Sequence, residues 1–202
     1  MALDKKDIEI IVYNYFRQQF VIKDVQWTPP HNRSTQTEER NITRFVDALN
    51  QLTSNFRSSE GFSQLHEKLE TVIPSLDHYA ADRFDEAGYV VFSGIAEHLC
   101  AEGIRWSHIL TLFVFTFELA NEYLQIKDDL TIVESIANWL ILYVSERLLE
   151  WINNHGGSNG LVEYSNHSSS SNNFTDLRFW KTAFLATGIF ALISFSMHLL
   201  NK

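Results

Sequence analysis

The sequence predicts an all-α protein in which amphipathic helices surround a buried hydrophobic helical hairpin. Its 202 residues include only three prolines and eight glycines, which leaves long stretches with helical spacing and almost no strict alternation. Phe45, Leu49, Leu52 and Phe56 stand at offsets that place them on one helical face. The segment 109–117, ILTLFVFTF, carries no charge, which is typical of a helix buried on all sides. We expect the helix that contains this segment to be too short to cross a membrane.

In the N-terminal half, helices are predicted at about 5–20, 42–58, 62–73 and 74–84. The apolar stripe of the first helix consists of Ile8, Ile11, Val12 and Tyr15. Gly61 separates the second helix from the third. Pro74 is predicted to start the fourth helix, because proline fits the first turn of a helix better than its interior.

The second half is predicted to contain the hairpin. A helix preceded by Gly88 should end at Gly103, since glycine often terminates helices. The hairpin helices then follow at about 106–124 and 130–149, joined by a turn at 127–129, and a connection this short predicts an antiparallel pair. The second hairpin helix should face inward through Ile132, Val133, Ile136, Trp139, Leu140 and Tyr143.

The C-terminal segment predicts a membrane anchor. We expect one domain at 1–164, a Ser/Asn-rich linker at 165–178 and a transmembrane tail at 179–202. Residues 183–200 contain no Asp, Glu, Lys or Arg, and such a helix would be roughly 27 Å long, close to a bilayer's hydrocarbon thickness. The flanking residues Arg178, Phe179, Trp180, Lys181 and Lys202 suit the two interfaces. The alternative is a terminal helix packed into the body's own core or groove, and one helix could move between the two.

Composition excludes several classes of function. The net charge is −9 and no basic cluster is present, which argues against a nucleic-acid partner. A single cysteine, Cys100, excludes a disulfide framework, and its apolar neighbours indicate a buried thiol. The first residues lack the apolar stretch of a secretory signal, so the body should fold in a reducing compartment with its tail inserted afterwards.

The sequence contains no motif of an enzyme, metal site or cofactor site. His66 and Glu67 lack the second histidine of a zinc-protease helix. The glycines between His155 and Gly160 follow a helix and no strand, so they predict a helix cap and turn instead of a phosphate site. We therefore expect a non-enzymatic protein without a cofactor.

Two segments carry a family resemblance. Residues 102–120, EGIRWSHILTLFVFTFELA, resemble the first homology region of the Bcl-2 family of apoptosis regulators. Forty-five residues after Trp106, the second region is matched by WINNHGG, which contains Trp151, Ile152, Gly156 and Gly157. The hydrophobic tail stands where the family keeps its anchor. On this combination the chain is identified as a member of the family, with an expected eight-helix globule.

The resemblance implies a surface groove that captures an amphipathic helix, the third homology (BH3) motif of a partner. The matching positions in this chain are Ile95, Leu99, Arg105, Trp106, Ser107, His108, Leu110, Thr111 and Phe115. The alternative for the apolar members is simple core packing. The family's Asn, Gly and rim Arg are replaced here by Arg105, Ser107 and His108, so we expect a polar rim in which the positive charge has moved by one helical turn.

The chain's own BH3-like helix is incomplete. Its apolar positions are Phe45, Leu49, Leu52 and Phe56, but the expected Gly and Asp are Thr53 and Ser54. Without that carboxylate the helix cannot make the charge-assisted contact to a rim arginine. The alternative is a helix that only closes the side of the groove.

These features favour a pro-survival protein that binds BH3 helices of pro-apoptotic relatives, as a homo- or heterodimer. The membrane expected from the resemblance is the mitochondrial outer membrane, with the body facing the cytosol; the endoplasmic reticulum and the cytosol are alternatives. Two other functions stay open at this point: a pore-forming pro-apoptotic effector of the same family, and a tail-anchored helical scaffold unrelated to cell death.

Overall fold

A computed structural model of the protein describes residues 2–30, 36–77 and 84–170. Within these residues the chain forms eight α-helices and no strand, so the predicted all-α class is confirmed. The helices are α1 (Lys5–Ile22), α2 (Gln36–Arg57), α3 (Glu60–Asp77), α4 (Phe84–Leu99), α5 (Trp106–Lys127), α6 (Leu130–Tyr143), α7 (Leu149–Asn154) and α8 (Ser158–Ser170). A five-residue π-helical segment, Val144–Leu148, joins α6 to α7.

Helix α5 lies at the centre of the molecule. It packs along α6, and α1, α2, α3 and α4 contact its other sides. Nearly every residue from His108 to Leu124 is buried. With 22 residues the helix is long enough to cross a membrane, so the expectation that it is too short was wrong. Its most apolar stretch of 18 residues is 83% buried inside the protein, and α5 is therefore the core helix of this fold.

The turn between α5 and α6 is built by two aspartates. Asp128 adopts the left-handed conformation at φ 52° and ends α5. Asp129 caps α6 by accepting hydrogen bonds from the Thr131 amide at 2.9 Å and from the Thr131 hydroxyl at 2.7 Å. These bonds hold the pKa of the Asp129 carboxyl below its usual value. The predicted turn at 127–129 and the hairpin it closes are confirmed.

Two predicted helix boundaries were wrong. Pro74 lies inside α3 and does not start a new helix. Proline removes one backbone hydrogen bond, but burial of Leu65, Leu69 and Val72 along the same face keeps the helix continuous. The hydroxyl of Tyr123 on α5 also donates to the carbonyl of Ile73 at 3.0 Å, which ties this turn to the core.

Gly88 also lies inside a helix, four residues after the start of α4. A Cβ added there would lie 2.2 Å from Cη2 of Trp139, so the glycine lets α4 approach the indole on α6. At its other end α4 stops at Leu99, and Gly103 follows in the connection with φ 108°.

Helix α8 continues through Ser170, five residues beyond the predicted start of the linker at 165. The predicted anchor at 179–202 lies outside the described residues.

Candidate functional site

Trp106 joins the two homology regions at the N-terminus of α5. Its ring centroid lies 5.2 Å from that of Trp151 on α7, in an edge-to-face arrangement, and 6.4 Å from that of Phe45 on α2. A Cβ added to Gly160 on α8 would come within 2.8 Å of the Trp106 indole. The first region, the second region and the BH3-like helix therefore meet at one tryptophan.

The second region forms the predicted cap and turn. The imidazole of His155 stacks on the Trp151 indole at 3.9 Å, and its Nδ1 lies 2.8 Å from the Trp151 carbonyl oxygen. Gly156 and Gly157 have positive φ angles of 95° and 57°, which residues other than glycine rarely adopt. Gly157 N–H donates to the carbonyl of Ile152 at 2.9 Å, and the chain then turns into α8. Ile152 is buried, so this corner belongs to the core.

The positions expected to line the groove lie on α4 and on the first half of α5. Ile95 and Leu99 come from α4, and Leu110, Thr111 and Phe115 come from α5. The structure brings all five into the buried interior, with exposed fractions of 2–6%. Helices α4 and α5 contact each other, and this burial is what the core-packing alternative predicts. A partner helix could touch these side chains only after the atoms that cover them move. The groove itself stays a prediction.

The two residues of the expected polar rim have different environments. Arg105 is exposed and occupies the N-cap position of α5 in an extended conformation, where no side-chain cap is made. His108 is 3% exposed, so its expected place on the rim was wrong. The reason is that α5 enters the interior within its first turn: Ser107 is half-buried and every residue from His108 to Asn121 is buried. Of the two, only Arg105 presents its side chain to solvent.

The BH3-like positions lie on α2, and their apolar face points into the core. Phe45, Leu49, Leu52 and Phe56 are each 0–2% exposed. Thr53 is fully buried, and its hydroxyl oxygen lies 3.1 Å from that of Tyr15 on α1. Burial raises the pKa of Tyr15 well above its usual range, so this phenol stays a neutral hydrogen-bonding group. Ser54, which replaces the family's Asp, is exposed.

A buried ion cluster at the end of α2 was not predicted. Glu118 on α5 is fully buried, and its two oxygens contact Arg57 at 2.8 Å and Lys23 at 3.1 Å. Both cations also lie near the ring of Phe117, at 5.8 and 5.9 Å from its centroid. The cluster ties the ends of α1 and α2 to the central helix. The signal was in the sequence: a carboxylate in so apolar a helix must have a partner.

Comparisons with known proteins agree with this architecture. Residues 36–157, more than half of the chain, match the family described as "Apoptosis regulator proteins, Bcl-2 family". Apoptosis regulator R1 of Xenopus laevis is 29% identical over 103 residues, which are 51% of this chain and 41% of that protein. Apoptosis regulator BAX of Homo sapiens is 27% identical over 119 residues, 59% of this chain and 62% of BAX. Bcl-2-like protein 1 of Homo sapiens is 29% identical over 92 residues, 45% of this chain and 39% of that protein.

The chain thus spans less than two thirds of the length of these relatives. Among solved structures, Trichoplax adhaerens trBcl-2L2 bound to trBak BH3 has a TM-score of 0.60 at 20% identity, covering 80% of this chain and 99% of that chain. Geodia cydonium BHP2 in complex with Lubomirskia baicalensis Bak-2 also scores 0.60, at 12% identity, covering 83% and 95%. These likenesses show a shared fold. The matched family consists of regulators and not enzymes, and the chain belongs to this Bcl-2 family of apoptosis regulator proteins.

Proposed function

We propose that this protein binds BH3-type amphipathic helices on the α4–α5 surface and acts as a pro-survival regulator. Three observations support the binding site. The family match includes both homology regions, and they meet at Trp106. The positions matched to the family's groove fall on two helices that contact each other, α4 and α5. Two neighbours of the same fold were solved with Bak-derived partners, one of them a BH3 segment.

The electrostatics of the site favour an acidic residue on the ligand. Arg105 is exposed at the N-terminus of α5, where the first backbone N–H groups of a helix carry partial positive charge. A ligand carboxylate placed there would be attracted by the guanidinium and by the helix terminus together. With His108 buried, Arg105 carries this role alone among the two rim positions.

The pro-survival assignment rests on how α2 is held. An effector that donates its own BH3 motif must expose the face of that helix, and here the face formed by Phe45, Leu49, Leu52 and Phe56 is buried. Thr53 contacts Tyr15, and Arg57 pairs with the buried Glu118. Releasing α2 would break these contacts, while the position of the motif's Asp is occupied by Ser54. A retained helix with an incomplete motif suits a protein that receives BH3 helices.

The test is a titration of the full chain with an amphipathic peptide that carries the Leu-x-x-x-Gly-Asp pattern. We expect submicromolar binding, and at least a tenfold loss when the peptide's Asp becomes Ala. Arg105→Glu should weaken binding by about 2 kcal/mol, roughly thirtyfold, because it places like charges together. Arg17→Glu is the matched control, since Arg17 is an exposed arginine on α1.

The alternatives give different outcomes. Absence of peptide binding would favour the scaffold function. Permeabilisation of liposomes by the full chain would identify an effector. Unchanged affinity in Arg105→Glu would place the groove elsewhere on the molecule.

We further propose that residues 179–202 anchor the protein in the mitochondrial outer membrane, with the body facing the cytosol. The uncharged stretch at 183–200 supports this. Replacing Ile189 and Leu192 with Arg should cost about 2.5–3.5 kcal/mol per charge at mid-span and release the protein on fractionation. If the double variant stays in the membrane fraction, the anchor is wrong; imaging of the parent separates mitochondria from endoplasmic reticulum.

A further inference from the structure

One side chain bonds the N-terminal segment to the second homology region. The Leu3 backbone N–H donates to Asn153 Oδ1 at 2.7 Å, and Asn153 Nδ2 donates to the Leu3 carbonyl oxygen at 2.9 Å. A single primary amide thus pairs with both polar backbone groups of a residue that lies 150 positions earlier in the chain. We call these two hydrogen bonds the amide clamp.

The Leu3 side of the amide clamp is well fixed. The Leu3 side chain is 3% exposed, so it anchors the segment in the core. The next residue, Asp4, caps α1: its carboxylate accepts from the Asp7 amide at 2.9 Å, and the Asp7 carboxylate accepts from the Asp4 amide at 3.0 Å. A buried anchor followed by a reciprocal cap leaves the backbone of residue 3 little freedom, so it can support Asn153.

The Asn153 side of the amide clamp lies on α7, a helix that needs outside support. Helix α7 has six residues, too few for a helix to be stable by itself. The π-helical segment Val144–Leu148 interrupts the regular hydrogen bonding between α6 and α7. The orientation of α7 therefore depends on the contacts that its own side chains make.

Consecutive residues of α7 make three different contacts. Trp151 meets the Trp106 indole edge to face at 5.2 Å, Ile152 is 1% exposed in the core, and Asn153 forms the amide clamp. Because successive residues of a helix point about 100° apart, these contacts hold α7 from three directions. Without the amide clamp α7 could shift about the other two contacts, and the Trp151 ring would then move against Trp106.

Trp106 links this corner to the proposed ligand site. Arg105 directly precedes it, and the Arg105 carbonyl accepts from the amides of His108 and Ile109 at 3.1 and 3.2 Å. The backbone of Arg105 is thus bonded into the helical turn whose indole rests on Trp151. Groups that recognise a ligand must be held within roughly 0.5 Å of their productive position, so a shift of this turn would misplace the guanidinium.

We propose that Asn153 is a positioning residue of the BH3-binding site. Through the amide clamp, the N-terminal segment holds Trp151 against Trp106 and so fixes Arg105 relative to the ligand's Asp. This role rests on the proposed function and extends it to residues 3 and 153, which lie outside α4 and α5.

Two peptides distinguish positioning from a general loss of stability. The peptide with the Leu-x-x-x-Gly-Asp pattern and its form with Ala in place of Asp are titrated into the full chain by calorimetry. Asn153→Ala should weaken binding of the Asp peptide about fivefold or more and leave the Ala peptide within about twofold, because only the Asp peptide uses Arg105. Partial unfolding would instead lower the apparent affinity for both peptides by the same factor.

Asn154→Ala is the matched control, since Asn154 is the neighbouring asparagine on α7 and is exposed. It should bind both peptides as the parent does. Leu3→Pro removes the N–H donor of the amide clamp and should reproduce the selective loss, whereas Leu3→Ala keeps both backbone groups and should retain the preference for Asp. In the Leu3→Pro background, Asn153→Ala should add less than about twofold, because the contact is already broken.

The outcomes separate this role from the function on which it rests. A parent without preference for the Asp peptide would contradict the proposed role of Arg105, and that of Asn153 with it. A parent with the expected preference, of about tenfold or more, and an Asn153→Ala variant that keeps it would overturn the positioning role alone. If Asn153→Ala fails to fold, the comparison of Leu3→Pro with Leu3→Ala decides the same question.

Discussion

Gly88 of α4 lies directly against the indole of Trp139 on α6, so closely that a Cβ at position 88 would meet Cη2 at 2.2 Å. Phe84 and Phe92 flank the same indole, with centroids at 5.3 and 6.3 Å. Trp139 is 3% exposed and therefore has little room to move. The spacing between α4 and the hairpin depends on this contact.

Gly88→Ala should destabilise the protein by about 1–3 kcal/mol, although alanine is the better helix former, because the added methyl overpacks the contact. Chemical denaturation measures the loss. In a Trp139→Phe background the clashing ring atoms are absent, so the same substitution should cost less. An equal cost in both backgrounds would show that the indole is not what restricts position 88.

Phe113 should be a major contributor to stability. It is 1% exposed on α5, and its ring meets that of Tyr15 edge to face at 5.5 Å. Phe113→Ala should lower the free energy of unfolding by about 3–5 kcal/mol, because it leaves a cavity in the core around α5. Val21→Ala, at a position 67% exposed, should cost far less in the same denaturation experiment. A loss below about 1 kcal/mol for Phe113→Ala would contradict the central position of α5.

The ion cluster predicts a marked difference between two glutamates. Glu118→Gln leaves Arg57 and Lys23 without their carboxylate partner and should cost about 2–3 kcal/mol, since both cations are partly screened by solvent. Glu97→Gln is the control: its contact with Arg147 is 3.9 Å long and both side chains are more than 60% exposed. This second change should cost below about 0.5 kcal/mol. Similar losses would mean that the cluster contributes no more than an ordinary surface pair.

Cys100 should react slowly with thiol reagents at neutral pH. Burial raises the pKa of its thiol to about 11. The neutral thiol is therefore retained through pH 9, and the thiolate forms only as the pH rises through the raised pKa. At pH 8 the thiolate fraction of Cys100 should be roughly a hundredfold below the thiolate fraction of an unburied cysteine. Because the chain has a single cysteine, the rate of reaction with a chromogenic disulfide reports this residue alone. Denaturant should accelerate the reaction at pH 8; equal rates in native and denatured protein would show that Cys100 is accessible.

The sequence by itself determined the all-α class, the position of α5 and α6, the aspartate turn between them and the two homology regions. Each rests on a local signal: an uncharged stretch at 109–117, a short polar turn, or tryptophan and glycine at a defined spacing. These features could be predicted from the sequence because helical periodicity and backbone geometry depend on residues that are neighbours along the chain.

Only the tertiary structure decided that Pro74 and Gly88 lie inside helices. It also decided the burial of His108 and the pairing of Glu118 with Lys23 and Arg57. Local rules place proline and glycine at helix ends, but burial of an apolar face and contact with Trp139 outweigh those preferences. His108 is polar, yet α5 enters the core at its first turn. Lys23, Arg57 and Glu118 lie 34 and 61 residues apart along the chain, so their contact exists only once α1, α2 and α5 have packed together.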